Sequence, residues 1–289
     1  MTNLPEPVNL AAPPTVLREF VRGMLRTPLR ARPGKDLPDT VLRLPRARIE
    51  RQHLFAYQKL TGFTANELLP PTYPHLLGFP LQARLLAGPD FPLPLAGLVH
   101  IANEITQRDP LFADDQPDVT VRAENLRPHP KGTAVDLITE LHVLGAVAWS
   151  SRSTYLHRGR ENPGSETGPA APEAPTSFPS ARWRLPADLG RRYAAISGDV
   201  NPIHLHPLAA RAFGFPRAIA HGMWSLARTL AAFGQDAQGP HTNRVWFRKP
   251  ILLPTTIAFA REPGAPVAAV VNAKDRERVH LVVDVHGKN

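Results

Sequence analysis

Residues 162–180 read NPGSETGPAAPEAPTSFPS. Five prolines and two glycines, with almost no large apolar side chain, make this a semi-extended linker. Proline lacks the amide hydrogen that a helix or sheet interior needs. A chain interrupted in this way folds as two pieces. The division predicts an N-terminal domain over 1–161, a Pro-rich linker over 162–180 and a C-terminal domain over 181–289.

The two pieces resemble each other weakly. Tyr57 opens YQKLTG and Tyr193 opens YAAISG, 136 residues later. Each is followed by a Pro-rich loop and then a His-containing apolar segment, GLVHIANEI (97–105) or AIAHGMWSLARTLAAF (218–233). Alternating stretches come next, with the period of two that marks half-buried strands. In the first piece they are 119–126, 133–143 and 146–158; in the second, 244–253, 255–263, 266–275 and 279–287. Each half therefore reads as loop, one long helix, then antiparallel strands, an α+β layout with a helix against a sheet. Ile219, Met223, Leu226, Leu230 and Phe233 recur at steps of three or four and predict the buried stripe of the second helix, over 218–233.

Composition excludes several kinds of chemistry. There is no cysteine, so disulfide scaffolds, thiol nucleophiles, iron–sulfur clusters and cysteine-held zinc are ruled out. No apolar run is long enough to suggest a transmembrane helix, and the first residues lack the layout of a secretory signal; a cytoplasmic location is the expectation. The net charge is +9, which points to nucleic acid, an anionic membrane surface or an acidic partner, although scattered arginines are ordinary on a solvated surface. One basic segment is concentrated: VLREFVRGMLRTPLRARPG (16–34). It predicts a helix with Arg18, Arg22, Arg26 and Arg30 on one face and Val16, Phe20, Val21, Met24 and Leu25 on another. Such a helix lies on a membrane, binds an acidic partner or simply covers its own domain.

The chemistry concentrates in YAAISGDVNPIHLHP, Tyr193 to Pro207. Pro202 disfavours helical backbone at Asn201, so Asp199 and His204 are expected on a turned loop that aims both side chains at one point. A carboxylate beside an imidazole is a proton-transfer pair; an aspartate capping a turn is the plainer alternative. AIAHGM (218–223) follows at the head of the apolar helix. An open amide at Gly222 suits an anionic oxygen such as a polarised thioester carbonyl, while close packing of helix on sheet is a second reason for a glycine there.

The run YAAISGDVNPIH, then AIAHGM, then FRKPILLPTT (247–256), closely resembles the MaoC-like (R)-specific enoyl hydratases and 3-hydroxyacyl-thioester dehydratases. TYPHLLGFP (72–80), GLVH (97–100) and ITQRDPL (105–111) resemble the degenerate first half of that family's double-hotdog branch. The resemblance spans about residue 45 to the end. It implies two hotdog folds, each a long helix packed on an antiparallel sheet. It also implies Asp199 and His204 as the catalytic dyad, the Gly222 amide as the oxyanion donor, and Asn201, His221 and Met223 as substrate-binding or orienting residues. No metal or redox cofactor is implied, since the substrate carries coenzyme A or phosphopantetheine. After YQKLTG the chain continues FTANELLPP, without the dyad, so one active site per chain is expected. His206 departs from the family's usual aspartate, with little consequence expected. Acyl-CoA or acyl carrier protein thioesters are the implied partners, with a homodimer possible and no nucleic acid. Arg217, Arg228, Arg244, Arg248 and Lys249 lie close in sequence to this motif and are candidates for steering an acidic carrier. The competing readings are a hotdog thioesterase and a non-catalytic acyl-binding subunit.

Overall fold

The computed structural model describes residues 5–26, 36–95, 97–159, 161–234 and 239–287. Arg30 and the rest of 27–34 lie outside them. Two sets of elements follow one another. The first set is β1 (Val8–Asn9), α1 (Val16–Arg26), β2 (Leu42–Leu44), α2 (Arg51–Thr61), α3 (Pro74–Leu86), β3 (Leu98–Gln107), β4 (Asp118–His129), β5 (Gly132–Val143) and β6 (Ala146–Arg158). The second is β7 (Ala181–Leu185), α4 (Leu189–Ser197), α5 (Pro202–Leu205), α6 (Pro207–Ala212), α7 (Gly222–Phe233), β8 (His241–Phe247), β9 (Thr255–Arg261), β10 (Val267–Asn272) and β11 (Val279–Gly287). Between Arg158 and Ala181 the described residues form no helix or strand.

All strands join one sheet, in the order β1-β2-β4-β5-β6-β3-β8-β11-β10-β9-β7. Apart from the edge strand β1, the order reads the same from either end once β2 is matched with β7, β4 with β9, β5 with β10, β6 with β11 and β3 with β8. The halves meet at the antiparallel β3–β8 pair, where Thr106 faces Thr242. Their hydroxyls are 3.1 Å apart. The amides of Arg108 and Asp109 return to Ala148 O as those of Arg248 and Lys249 return to His280 O, so Arg108 and Arg248 are repeat copies. Four residues back along each strand Glu104 faces its own copy, Arg244, and a local two-fold axis passes between them. The repeat is thus a double hotdog, with α3 and α7 each wrapped by one half of the sheet.

Both six-residue motifs end their helices alike. Gly62 (φ 87°) and Gly198 (φ 71°) are left-handed caps whose amides return to Gln58 O and Ala194 O. Glycine adopts that conformation without a Cβ penalty. Tyr57 and Tyr193 are buried, with ring centroids 6.3 Å apart.

Two helix assignments differ from the sequence reading. In the first half, 97–105 falls in β3, and the central helix is α3. Helix α3 is buried on nearly all sides and therefore shows no amphipathic period. Gly78 and Pro80 also lower its intrinsic propensity. Gly78 is needed there, because a Cβ would come within 2.5 Å of Thr139 Cγ2 on β5. In the second half the helix begins at Gly222 rather than Ala218. Ile219 instead bridges Leu252, so residues 218–220 run as an extended strip beside 251–253. The basic helix is present as α1, but only Val16 and Phe20 of its apolar set are buried; Val21, Met24 and Leu25 face outward.

One continuous core contains side chains of both halves, including Leu54, Ile105, Trp149, Leu226 and Leu281. A chain with one shared core and one shared sheet unfolds as a unit. Ile105 is fully buried at the seam, so Ile105→Ala is expected to cost about 2–5 kcal/mol. Urea denaturation followed by tryptophan fluorescence and by circular dichroism will show a single shared transition at a lower midpoint. Two separated transitions would contradict the shared core.

Candidate active site

The loop after α4 is built by its own short side chains. Asp199 Oδ1 accepts from Asn201 N at 3.1 Å, and Asn201 Oδ1 accepts from Ile203 N at 3.4 Å as the cap of α5. Pro202 then opens a single helical turn, so His204 sits on α5 rather than on open loop. Its Nδ1 lies 2.9 Å from Ile219 O. A carbonyl only accepts, so Nδ1 carries the proton and Nε2 keeps its lone pair. Ile219 is held in turn by Ile203 O and by its bridge to Leu252. FRKPILLPTT thus supports the strip that orients the imidazole.

His221 caps α7 and stacks on His204, with centroids 3.7 Å apart and planes 25° apart. Its Nε2 is 3.0 Å from Asp199 O and 3.8 Å from Asp199 Oδ2. Burial, and then the neighbouring His204, push the His221 pKa well below the ordinary histidine range. His221 is therefore neutral, its proton goes to the Asp199 carbonyl, and the 3.8 Å contact is not an ion pair. Burial also lowers His204, with Asp199 pulling the other way. Ligand-type atoms of Asp199, His204 and His221 lie within 4.8 Å of one another. The two rings are stacked in nearly parallel planes, so their in-plane lone pairs do not converge on one point.

These residues open onto a cavity of about 460 Å³ that also includes Asn201, Gly222 and Met223. All six sequence-predicted site residues are brought together. Gly222 is the first residue of α7, where an amide has no carbonyl within the helix to bond. A Cβ there would lie 3.1 Å from the Phe247 ring, so the residue serves packing as well. His206 caps α6 by accepting from Leu208 N. Of the five cations, Arg248 and Lys249 line the cavity. Arg217 turns to Pro254 O, Arg228 lies over Trp183 and reaches Thr61 O, and Arg244 pairs with Glu104. Proximity in sequence misplaces these three because consecutive strand and helix residues point to different faces.

The first half supplies residues that the motif gave no reason to choose. His75, Phe79, Ala83 and Leu86 of α3 line the cavity in a single helical stripe, joined by His100, Tyr155, Leu95, Leu98 and Phe20. His100 stacks on Tyr155 at 4.6 Å and lies 5.2 Å from the Phe247 ring. His75 lies near enough to feel the Asp199 charge. Lys131 and Arg158, also from the first half, join Arg248 and Lys249 in the lining. Gly190 is a further omission: a Cβ on it would fall 2.0 Å from His204 O. The missing side chain is what lets α5 sit against α4.

Gly190→Ala must displace the His204 backbone. Misplacing a catalytic group by an ångström costs about 100-fold in rate, and that loss in kcat is expected with overpacking of about 1–3 kcal/mol. Steady-state kinetics and thermal melts of this variant will measure the two effects separately.

A second expectation concerns pH. Desolvation lowers His75 to about 4 and His100 to about 3, and it lowers His204 and His221 as well. In the unfolded chain they titrate near 6.5. As pH falls below that value the unfolded chain takes up protons that the folded chain refuses. The associated stability is complete above the unfolded pKa and is lost as pH falls toward the folded values, by about 1.4 kcal/mol per pH unit for each such proton. Urea midpoints measured from pH 7.5 to 4.5 will fall steeply below pH 6.5. His75→Leu will flatten the slope.

Comparison with known proteins gives one family match and several relatives. The family model described as a MaoC like domain matches residues 167–280. The chain is 41% identical over 224 residues to 3-hydroxyacyl-thioester dehydratase X of Mycobacterium tuberculosis, covering 76% of this chain and 79% of the relative. It is 27% identical over 153 residues to the enoyl-CoA hydratase ChsH3 of the same organism, covering 50% and 51%. Among solved structures, HtdX of M. tuberculosis superposes with a TM-score of 0.75 at 36% identity, over 86% of this chain and all of that one. A MaoC-like dehydratase from Phytophthora capsici shares the fold, with a TM-score of 0.68 at 20% identity over 86% of this chain and 95% of that one.

Proposed function

The chain belongs to the MaoC-like family of 3-hydroxyacyl-thioester dehydratases, and we propose that Asp199 and His204 carry its reaction. That reaction is the reversible removal of water from a (3R)-3-hydroxyacyl thioester to give the trans-2-enoyl thioester. The observation that carries the reading is convergence: the dyad and the first amide of α7 open onto one cavity whose far wall is apolar.

The Gly222 amide, with the helix dipole behind it, holds the thioester carbonyl oxygen and acidifies the Cα–H bond. A neutral His204 with Nε2 unprotonated and the Asp199 carboxylate are the two proton acceptors beside it. The Cα–H bond breaks and its proton passes to the dyad. The C3–O bond breaks and the hydroxyl leaves with a proton from the dyad. The electrons of the Cα–H bond become the new double bond, so no net proton is gained. Positioned acid–base groups are worth roughly 10²–10⁴ in rate, and one oxyanion donor about 10²–10³.

The cavity supports the class of substrate. Phe79, Ala83, Leu86, Leu95 and Phe20 form an apolar sleeve for an acyl chain, while Lys131, Arg158, Arg248 and Lys249 offer cations to the phosphates of coenzyme A or to an acidic carrier protein. The reaction draws on the chain's own residues and the substrate, with no metal or redox group, and belongs to fatty-acid metabolism. Among the described residues no helix is long and apolar enough to cross a membrane, and we place the enzyme in the cytoplasm. A single chain already holds the two-hotdog arrangement, so a homodimer is not required for the site to form.

Asp199→Asn and His204→Ala are each expected to lower hydration of enoyl-CoA and enoyl-carrier-protein substrates by about 10³-fold or more, the combined scale of lost proton transfer and misoriented substrate. Thermal melts will stay near wild type. Loss of enoyl absorbance is the readout for hydration. Thiol release without that loss would instead indicate a thioesterase.

A further inference from the structure

Helix α1 turns an apolar stripe to solvent. Val16 and Phe20 face the core, and at Gly23 a Cβ would lie 2.9 Å from Leu95 Cδ2. On the outer side Leu17, Val21, Met24 and Leu25 are 59%, 49%, 46% and 72% exposed. Their spacing of i, i+4, i+7 and i+8 is one continuous helical face. A surface helix whose outer face met only water would carry polar residues there.

Charge lies alongside. From Val16 to Arg26 the helix carries Arg18, Arg22 and Arg26 against a single acid, Glu19. Glu19 is turned inward, 2% exposed, and paired with Arg84 Nη1 at 3.0 Å and Arg22 Nη1 at 3.6 Å. The stripe therefore meets no negative charge on its own helix, and the exposed Arg18 borders it.

We propose that α1 is a docking surface for an anionic lipid bilayer. The four aliphatic side chains sit among the acyl chains at headgroup depth, and the flanking cations meet lipid phosphates. Charge complementarity favours this occupant. A second copy docked symmetrically on the same face would bring like-charged arginines together. An acidic protein would satisfy the cations but leave a convex aliphatic stripe without a groove, whereas a fluid bilayer takes a convex face as it is. Phe20 of the same helix lines the acyl cavity and α1 packs on α3, so the docked surface adjoins the place where the acyl chain is held.

The test uses the full chain and sedimentation with vesicles. Equal mixtures of phosphatidylglycerol and phosphatidylcholine are expected to bind at least about 10-fold more protein than phosphatidylcholine alone, with binding weakened by salt. Leu17→Glu/Val21→Glu/Leu25→Glu is expected to abolish binding while kcat on a short enoyl-CoA stays within about twofold. Arg18→Glu, a change at an exposed position, provides the second variant should the triple change impair folding, and is expected to weaken binding to the anionic vesicles. Equal binding to neutral vesicles, or full binding by both variants, overturns the proposal. So does a wild-type dimer in light scattering that the triple variant converts to monomer, or retention by an acidic carrier protein and by neither vesicle.

Discussion

The β3–β8 ladder is the contact on which the rest of the molecule depends. It converts two weakly related halves into one sheet and places Glu104 opposite Arg244, each the other's repeat copy. Because the axis passes there, α3 and α7 come to face a common interior. That arrangement lets residues from one half line the same cavity as Asp199 and His204 of the other. Without the seam, His75, Phe79 and Leu86 would belong to a different pocket from Asp199 and His204. Backbone pairing along six residues of each strand fixes the relation more tightly than side-chain packing alone, because a slip by one residue would reverse every inward side chain.

Symmetry in the backbone coexists with asymmetry in function. Both halves keep the buried tyrosine and the left-handed glycine that ends its helix. Directly after the shared glycine, where the second half has Asp199, the first half has Phe63. Leu68 pairs in a bridge with Phe112, the counterpart of the Ile219–Leu252 bridge, so the strip is kept while the histidine it would orient is missing. The first half instead contributes the apolar lining of the cavity and two histidines that burial keeps neutral. The second half spends its local structure on orientation: Asn201 caps α5, Ile219 O fixes the His204 tautomer, and Gly190 lets the turn approach α4. Little of that effort is visible as catalytic residues, yet the position of the imidazole depends on it.

The strands were legible because half-buried sheets alternate, and the predicted stretches fall on β4 to β6 and β8 to β11 with shifts of a few residues at most ends. The helix of the first half was not. Burial on nearly all sides removes the amphipathic signal, and its Gly78 and Pro80 look like loop residues until Thr139 is seen against them. Within the site, the motif named Asp199, His204 and Gly222, because catalytic groups clustered in one loop and one helix start leave a local signature. Tyr155 left none, and His75 and His100, although they lie within TYPHLLGFP and GLVH, carried no local sign of a place at the site. They are scattered across a helix and two strands and are joined only by the fold.

By itself, the sequence determined two weakly similar α+β pieces around a Pro-rich joint, with a carboxylate, an imidazole and a glycine close together along the second. Those facts are local, set by proline, by glycine and by alternation along single segments. Tertiary structure alone decided which side chains of the first half line the cavity, which of the nearby cations turn toward it, and which face of the basic helix is left outward. Each of these depends on side chains far apart in the chain and brought together by the β3–β8 register, and no period along one segment encodes a distance between two.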